Sequence, residues 1–472
     1  MRKVLIIYDD SRKPGQEISQ ITGRKSFGNI IFKRLSLRQR TGDRLAGLKH
    51  VEAFIASSDT EALKNVDVSA GPAVFKLYSD FETADIEAVN VLLEKSLYVK
   101  ENYSVICEDR IAAVIYPSFD AYKAQRNISD EEEYERIVSS AFISLADAGN
   151  FRTFITSGFD ARFFNALEGD DYTVVKRSAG VDKLRREYTY FTLLPPEMKQ
   201  WFATVYDYKE GADSASYSIE RYHMTDLAIR YVHGAIDEEE FRAIMERLFH
   251  FIKSRKVKQV SDDEYNSNAK SLYIDKVVER TETLKGLKGY DRISDYIATG
   301  TDYRNIDEIV DRYRGLYESI TGGRRFMKLM AVGHGDLCFS NILYNHDARL
   351  LRLIDPKGAM TEDEMYMNPY YDIAKLSHSI CGSYDYFNSD QYEISVDAGM
   401  KLKLDIDSDN DRYIKIFYEY LHGNDIDVRL IRLYEASLFL SMLPLHIDRE
   451  KKVLGFILNA IRIMDETEKG DL

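Results

Sequence analysis

His334-Gly335-Asp336-Leu337-Cys338-Phe339-Ser340-Asn341-Ile342-Leu343, followed by Leu353-Ile354-Asp355, sets two carboxylates and one amide between apolar runs. Just upstream, Phe326-Met327-Lys328-Leu329-Met330-Ala331-Val332 ends at Gly333, so Asp336 is expected on a loop at the edge of a packed core. Ile342-Leu343-Tyr344 reads as a strand returning to that core, Asn345-His346-Asp347-Ala348 as a tight turn, and Leu350-Leu351-Arg352-Leu353-Ile354 as the partner strand of a hairpin. Such a hairpin brings Asp355 out beside Asn341. An ordinary turn and a strand-end cap explain either piece alone; both at hairpin spacing form a donor set with a defined chemistry. Phosphoryl transfer needs one acidic residue to orient the attacking hydroxyl, and a second with an Asn to hold the magnesium that neutralises nucleotide phosphates. Asp336, Asp355 and Asn341 can fill those roles in that order.

The pattern resembles the aminoglycoside phosphotransferase and choline kinase family of small-molecule kinases, whose catalytic loop reads H-G-D-x-x-x-x-N and whose metal aspartate follows a strand ending in I-D. The resemblance implies an α+β protein-kinase-like fold with a β-rich N-lobe over residues 146–232 and a helical C-lobe over residues 233–472. It also implies Asp336 as the catalytic residue, Asn341 and Asp355 as Mg2+ ligands, His334 as structural support, and ATP or GTP as the phosphoryl donor.

A kinase-like fold requires an upstream lysine on a strand and a glutamate on the next helix. Tyr172-Thr173-Val174-Val175-Lys176-Arg177 is β-rich and carries the lysine, and the helical pattern that starts at Val181 carries Glu187. A lysine held by a buried glutamate presents a fixed ammonium to the α- and β-phosphates; alone, Lys176 reads as a solvated strand-end residue. Thr156-Ser157-Gly158, expected between two β-like runs, makes Ser157 and Gly158 candidates for the phosphate-covering turn, although no G-x-G-x-x-G is present. Ser216 to Tyr222 reads as the strand running into the hinge, where backbone groups from Glu220 to Tyr222 would meet the purine edge; a structural strand is an equal reading.

Asn368-Pro369-Tyr370-Tyr371-Asp372-Ile373-Ala374 matches the family's D-P-x-Y-D-L-A segment, whose aspartate starts a helix and braces the catalytic loop. Asp372 is read as structural support, since a carboxylate in a first helical turn also satisfies free amide groups. The chain departs from relatives at Cys338-Phe339-Ser340, where H-x-G is frequent, and at Pro356-Lys357-Gly358, where an aromatic and an acid are frequent. These departures bear on the substrate. Lys357 is a candidate partner for phosphate or an acidic acceptor, or an ordinary exposed lysine. His378, Tyr384 and Asp385 suit a sugar or amino-alcohol acceptor, although a chain with 33 tyrosines forms such clusters by chance.

Residues 1–145 alternate strand and helix patterns, with strands at 4–8, 51–56 and 73–78, a strand or strand-helix unit at 30–44 and a helix at 84–95, which suggests an open α/β sheet. Their order resembles, weakly, the front half of a sugar nucleotidyltransferase, but residues 9–23 lack its G-x-G-x-R run. An accessory or degenerate α/β module is expected. Arg24, Lys25, Lys33, Arg34, Arg38, Arg40 and Arg44 form a basic stretch there, read either as a phosphate-binding surface or as a solvated helix face. Amphipathic helices are expected at 238–253, 306–320, 412–421 and 428–445, with 452–464 closing the lobe and 465–472 a polar tail.

At 472 residues the chain exceeds one ordinary core and implies two or three domains. Cys107, Cys338 and Cys381 are too few and scattered for a disulfide framework, which implies a reducing compartment. No run approaches the roughly 18 apolar residues of a membrane span, so a cytoplasmic protein is expected. The formal charge of -14 argues against nucleic-acid binding as the main activity. The expected partner is a small-molecule hydroxyl substrate, a sugar or amino-alcohol destined for a surface polysaccharide on the pairing of the two domains; oligomeric state is not legible. A nucleotide-binding pseudokinase and a bifunctional nucleotidyltransferase-kinase are the alternatives.

Overall fold

The computed structural model describes residues 2–23, 25–32, 35–67, 71–125, 134–156, 165–169 and 172–470. The chain divides into two compact units, Met1–Asp160 with His233–Ala235, and Ala161–Val232 with Ile236–Leu472.

The first unit is built on a six-stranded sheet that runs, edge to edge, Val51–Ala56, Val4–Asp9, Ala73–Tyr78, Arg110–Tyr116, Tyr103–Cys107 and Glu135–Val138. The first three strands are parallel and Arg110–Tyr116 joins them antiparallel. Val4–Asp9 is buried at every position, which is why it reads as an unbroken apolar run instead of an alternation. The 30–44 stretch folds as two short strands, Ile31–Phe32 and Leu35–Ser36, and the helix Leu37–Leu45, whose start is fixed by a capping box between Ser36 and Gln39. Of the basic stretch, Arg40 and Arg44 pair with the buried Glu82 at 3.3 and 2.5 Å, so both serve inside the unit, while Arg24, Lys33 and Arg34 lie outside the described residues. Within residues 9–23 the helix Gln16–Thr22 forms in place of a glycine-rich loop, and Arg12 and Arg110 both reach the buried Asp80.

The β-like run expected before Ser157 is instead the helix Ala148–Thr156, which belongs to the first unit. Asp147 explains it: its carboxylate accepts the Asn150 N–H at 2.8 Å and its carbonyl the Phe151 N–H at 2.9 Å, closing a helical turn.

The second unit has the expected order of a β-rich part followed by a mainly helical part. Its sheet lobe is antiparallel, in the order Asn165–Gly169, Thr173–Ser178, Ala215–Glu220, Val205–Glu210. The helix Val181–Leu193 buries Leu184, Glu187, Tyr190 and Phe191, a helical stripe. The remainder is mainly helical. One hydrophobic cluster joins Phe202, Leu337, Phe339, Ile342, Leu353 and Ile373 around the 334–341 loop; a second surrounds the almost wholly buried helix Val428–Met442. The last helix, Glu450–Lys469, runs on through residues expected to form a polar tail. Its polar side is engaged by arginines: Arg312 meets Asp465 and Glu468 at 2.7 Å each, and Arg432 meets Glu466 at 2.6 Å.

Candidate active site

The strand Leu329–Val332 delivers the chain to His334, and the hairpin Ile342–Asn345 with Leu350–Leu353 carries it away and back. Ile342 pairs with Leu353, and the Ile354 N–H donates to the Asn341 carbonyl at 3.0 Å, so Asn341 and Asp355 emerge on adjacent rungs. Between strand and hairpin the loop is fixed from several directions. Gly335 has φ +78°, and a side chain there would strike the Lys357 stem, so the turn requires glycine.

His334 is fully buried and stacks on Phe202 with ring centroids 5.7 Å apart. Its Nδ1 accepts the Asp336 N–H at 3.2 Å, which assigns the ring proton to Nε2, 2.9 Å from the Ile354 carbonyl. Burial pushes the imidazole below its ordinary range, and the neutral ring ties the Asp336 backbone to the strand end that precedes Asp355.

Asp372, in the first turn of the helix Tyr371–Ile380, directs its carboxylate at the loop. The N–H groups of His334 and Gly335 donate to Oδ2 and Oδ1 at 2.9 and 2.8 Å, and Arg255 Nη1 donates to Oδ2 at 2.9 Å. From the same helix the Ser379 hydroxyl accepts the Phe339 N–H at 3.0 Å.

Asn341 Nδ2 donates to the Asp336 carbonyl at 2.8 Å and to Asp336 Oδ2 at 3.1 Å, so Asp336 holds the amide by its nitrogen and not by its oxygen. Asp336 Oδ1 lies 2.8 Å from Lys375 Nζ. Burial opposes the charge on Lys375, but the Asp336 carboxylate outweighs it and holds the ammonium above its ordinary range.

On the sheet lobe, Lys176 Nζ donates to Glu187 Oε2 at 2.7 Å and to Asp355 Oδ1 at 2.8 Å. Burial again works against the ammonium, and Asp355 and Glu187 more than compensate. Tyr217 donates to the same Glu187 oxygen at 3.3 Å. Asp355 sits in the left-handed region at φ +55°, a conformation rare for a residue with a side chain and concentrated at functional sites. Behind it, Gly358 packs against the Arg186–Glu187 backbone, and the Ala359 N–H donates to the Arg186 carbonyl at 3.0 Å. The Glu187 helix and the Asp355 segment are thereby joined by main chain as well as by Lys176.

Mg2+ favours hard oxygen ligands, with one or two carboxylates from protein and the remainder from phosphates and water. The Asn341 amide oxygen and the second carboxylate oxygen of Asp355 fit that role. Among the described residues no three or more His, Cys, Asp or Glu side chains are grouped so as to hold a metal ion by themselves.

The other expected positions are less closely tied to Asp336. Ser157 and Gly158 lie outside the described residues. In the segment from Glu220 to Tyr222, expected to run into a hinge, the Glu220 and Arg221 N–H groups donate to Thr204 and Tyr172 carbonyls, and the Tyr222 carbonyl accepts from Met224, so these backbone groups are engaged within the sheet lobe. The Tyr222 hydroxyl donates to Glu220 Oε2 at 2.8 Å. Lys357 is exposed. His378 is fully buried, with Tyr384 stacked on it at 4.2 Å and neither ring nitrogen hydrogen-bonded; burial, then Lys375, keep it well below the ordinary imidazole range. Asp385 is also buried, with neither carboxylate oxygen hydrogen-bonded, and burial pushes it up to about 7.

Lys375 and Arg255 are site residues absent from the sequence reading. Lys375 had a signal: three residues beyond Asp372 in one helix, it lies on the face that Asp372 turns to the loop. Arg255 had none, since 117 residues separate it from Asp372.

No protein-family model matches the chain, and no curated protein matches it. Among solved structures, a thermostable mutant of aminoglycoside phosphotransferase APH(4)-Ia in its apo form is 14% identical, covers 64% of this chain and 94% of its own, and superposes with a TM-score of 0.38. The GDP complex of wild-type aminoglycoside 2'-phosphotransferase-IIIa is 12% identical, covers 69% of this chain and 100% of its own, and gives a TM-score of 0.40.

Proposed function

We propose that the second unit transfers the γ-phosphoryl group of ATP or GTP to a hydroxyl of a small molecule, a sugar or amino-alcohol of the kind built into surface polysaccharides. The observation that carries this reading is that one loop and hairpin holds Asn341 against Asp336 at 3.1 Å and brings Asp355 out on the adjacent rung, where Lys176, 179 residues away in sequence, meets it at 2.8 Å. Asp336 is the acceptor of the proton from the attacking hydroxyl, and Asn341 orients it through Oδ2. Lys176, fixed by Glu187, positions the donor phosphates, and Asn341 and Asp355 would hold the Mg2+. When bound, that ion neutralises charge on the phosphate oxygens. The contribution of the chain is then positioning and preorganised charge, which supply most of the rate in phosphoryl transfer.

The test is transfer of labelled γ-phosphate from Mg-ATP and Mg-GTP to a panel of sugars, amino-alcohols and aminoglycosides, with wild type and Asp336→Asn side by side. Label on an acceptor with wild type only, Asp336→Asn being slower by about 10²–10⁴-fold while still binding nucleotide, is the expected result. Equal turnover of the two proteins would remove Asp336 from the mechanism. Nucleotide binding with no acceptor labelled would favour a non-catalytic nucleotide-binding role.

A further inference from the structure

The chain is acidic, with 78 Asp and Glu against 64 Lys and Arg, yet one side of Asp336 is cationic. Its two carboxylate oxygens face different partners: Oδ2 the metal-side amide of Asn341, Oδ1 the ammonium of Lys375. The Lys375 side chain is only 11% exposed. One helical turn before it stands Tyr371, buried, whose hydroxyl lies 3.0 Å from Lys276 Nζ on the helix Lys276–Lys285. Burial alone would raise the Tyr371 phenol; Lys375 and Lys276 together bring it below its ordinary range, which registers a positive local potential. Lys357 lies with its stem against Gly335, the residue before Asp336.

Among the described residues, no carboxylate lies within ion-pair distance of Lys276 or Lys357, and Lys375 is paired with Asp336 alone. Clustered ammonium groups repel one another and are retained where an incoming anion completes them. An acceptor bearing its own ammonium would meet like charge here, at a cost in affinity.

We infer that the acceptor carries an anionic group, a carboxylate or a phosphate ester, close to the hydroxyl taken by Asp336, with Lys375 and Lys276 as its counter-charges and Lys357 at the rim. This rests on the phosphotransferase reading and deepens it, selecting an acid-bearing sugar or polyol over an amino-alcohol.

Calorimetric titration of the full chain tests it with two matched sets: glucose, glucosamine, glucuronate and glucose 6-phosphate; and glycerol, ethanolamine, glycerate and glycerol 3-phosphate. Wild type, Lys276→Met and Lys357→Ala are compared, with Mg-ATP affinity measured on each. In at least one set an acid-bearing member is expected to bind at least about tenfold tighter than its neutral parent, and the amine no better than the parent. The carboxylate and phosphate members show which anion is preferred. Lys276→Met should remove most of that preference and leave Mg-ATP affinity unchanged; exposed Lys357→Ala, which carries little folding risk, should reduce it about two- to threefold. Acid-bearing members that bind no tighter than their parents in either set overturn the inference, as does a loss confined to Mg-ATP affinity in the lysine variants. Tight binding of an acid-bearing member without transfer of label from Mg-ATP or Mg-GTP would uphold the anion site and sink the phosphotransferase reading instead.

Discussion

Lys176 and Asp355 meet at 2.8 Å across 179 residues of sequence, and the same ammonium also holds Glu187. One cation thus fixes the sheet lobe, its helix and Asp355 relative to one another. Nucleotide phosphates and Mg2+ would enter as additional partners of charges that already face each other.

Removing that ammonium leaves Glu187, 3% exposed, with only the longer 3.7 Å pair to the solvent-exposed Lys183. Lys176→Met is expected to destabilise the protein by about 3–5 kcal/mol and to abolish transfer. Lys176→Met with Glu187→Leu should recover most of the stability and none of the transfer, because packing replaces the pair while the phosphate-positioning charge stays absent. Urea unfolding and label transfer on the three proteins separate the two effects; a double variant as unstable as the single would refute the pairing.

Asp355→Asn keeps the shape of the side chain and removes its charge. Disturbing residues behind a metal's ligands costs about 10–100-fold in affinity, so loss of a ligand carboxylate should raise the Mg2+ concentration for half-maximal nucleotide binding by at least about tenfold. Lys176 retains Glu187 in this variant, so the melting temperature should change little. A Mg2+ titration identical to wild type would exclude Asp355 as a ligand.

The legible parts of this site are those specified locally. Asp336, Asn341 and Asp355 lie in one loop and one hairpin, where apolar runs, a turn and a glycine define the register. Lys176 and Glu187 follow the same logic, eleven residues apart on a strand and its helix. What the sequence does not carry is the partner of each charge. Arg255 for Asp372 is chosen by packing that no local pattern relates, and Lys375, although its spacing sets it on the Asp372 face, meets Asp336 only once that helix is docked on the loop. The same limit applies to the tail: Asp465, Glu466 and Glu468 read as solvated until Arg312 and Arg432 are placed beside them. In the first unit, buried parallel strands are recognisable by their apolar runs, while the pairing of Arg40 and Arg44 with Glu82 depends on sheet order.

Arg255 and Asp372 form an ion pair with side chains 3% and 0% exposed, and Asp372 also accepts two loop amides. Arg255→Met should cost about 3–5 kcal/mol by leaving that carboxylate uncompensated. Because Asp372 holds the backbone of His334 and Gly335, the same change should lower kcat more than it raises the KM for nucleotide. Unfolding and steady-state kinetics on this variant test both; a fall in stability with kcat intact would confine Arg255 to a structural role.

Asp385 provides a pH signature. Burial pushes its carboxyl up to about 7 from an ordinary 3.8, so the folded protein keeps a proton that the unfolded chain releases. The stability contributed by this group is complete below pH 4 and is lost as pH rises toward 7, by about 1.4 kcal/mol per pH unit. Asparagine cannot ionise, so the melting-temperature advantage of Asp385→Asn over wild type should grow between pH 4 and 7 and level off above. The neutral histidines His334 and His378 act in the opposite sense, since the unfolded chain binds protons that they refuse as pH falls through the ordinary imidazole range. That contribution is common to wild type and variant and cancels in the difference. Thermal melts of the two proteins at pH 4.5, 6 and 7.5 decide it, and a constant difference across the series would show that Asp385 is ionised in the folded state.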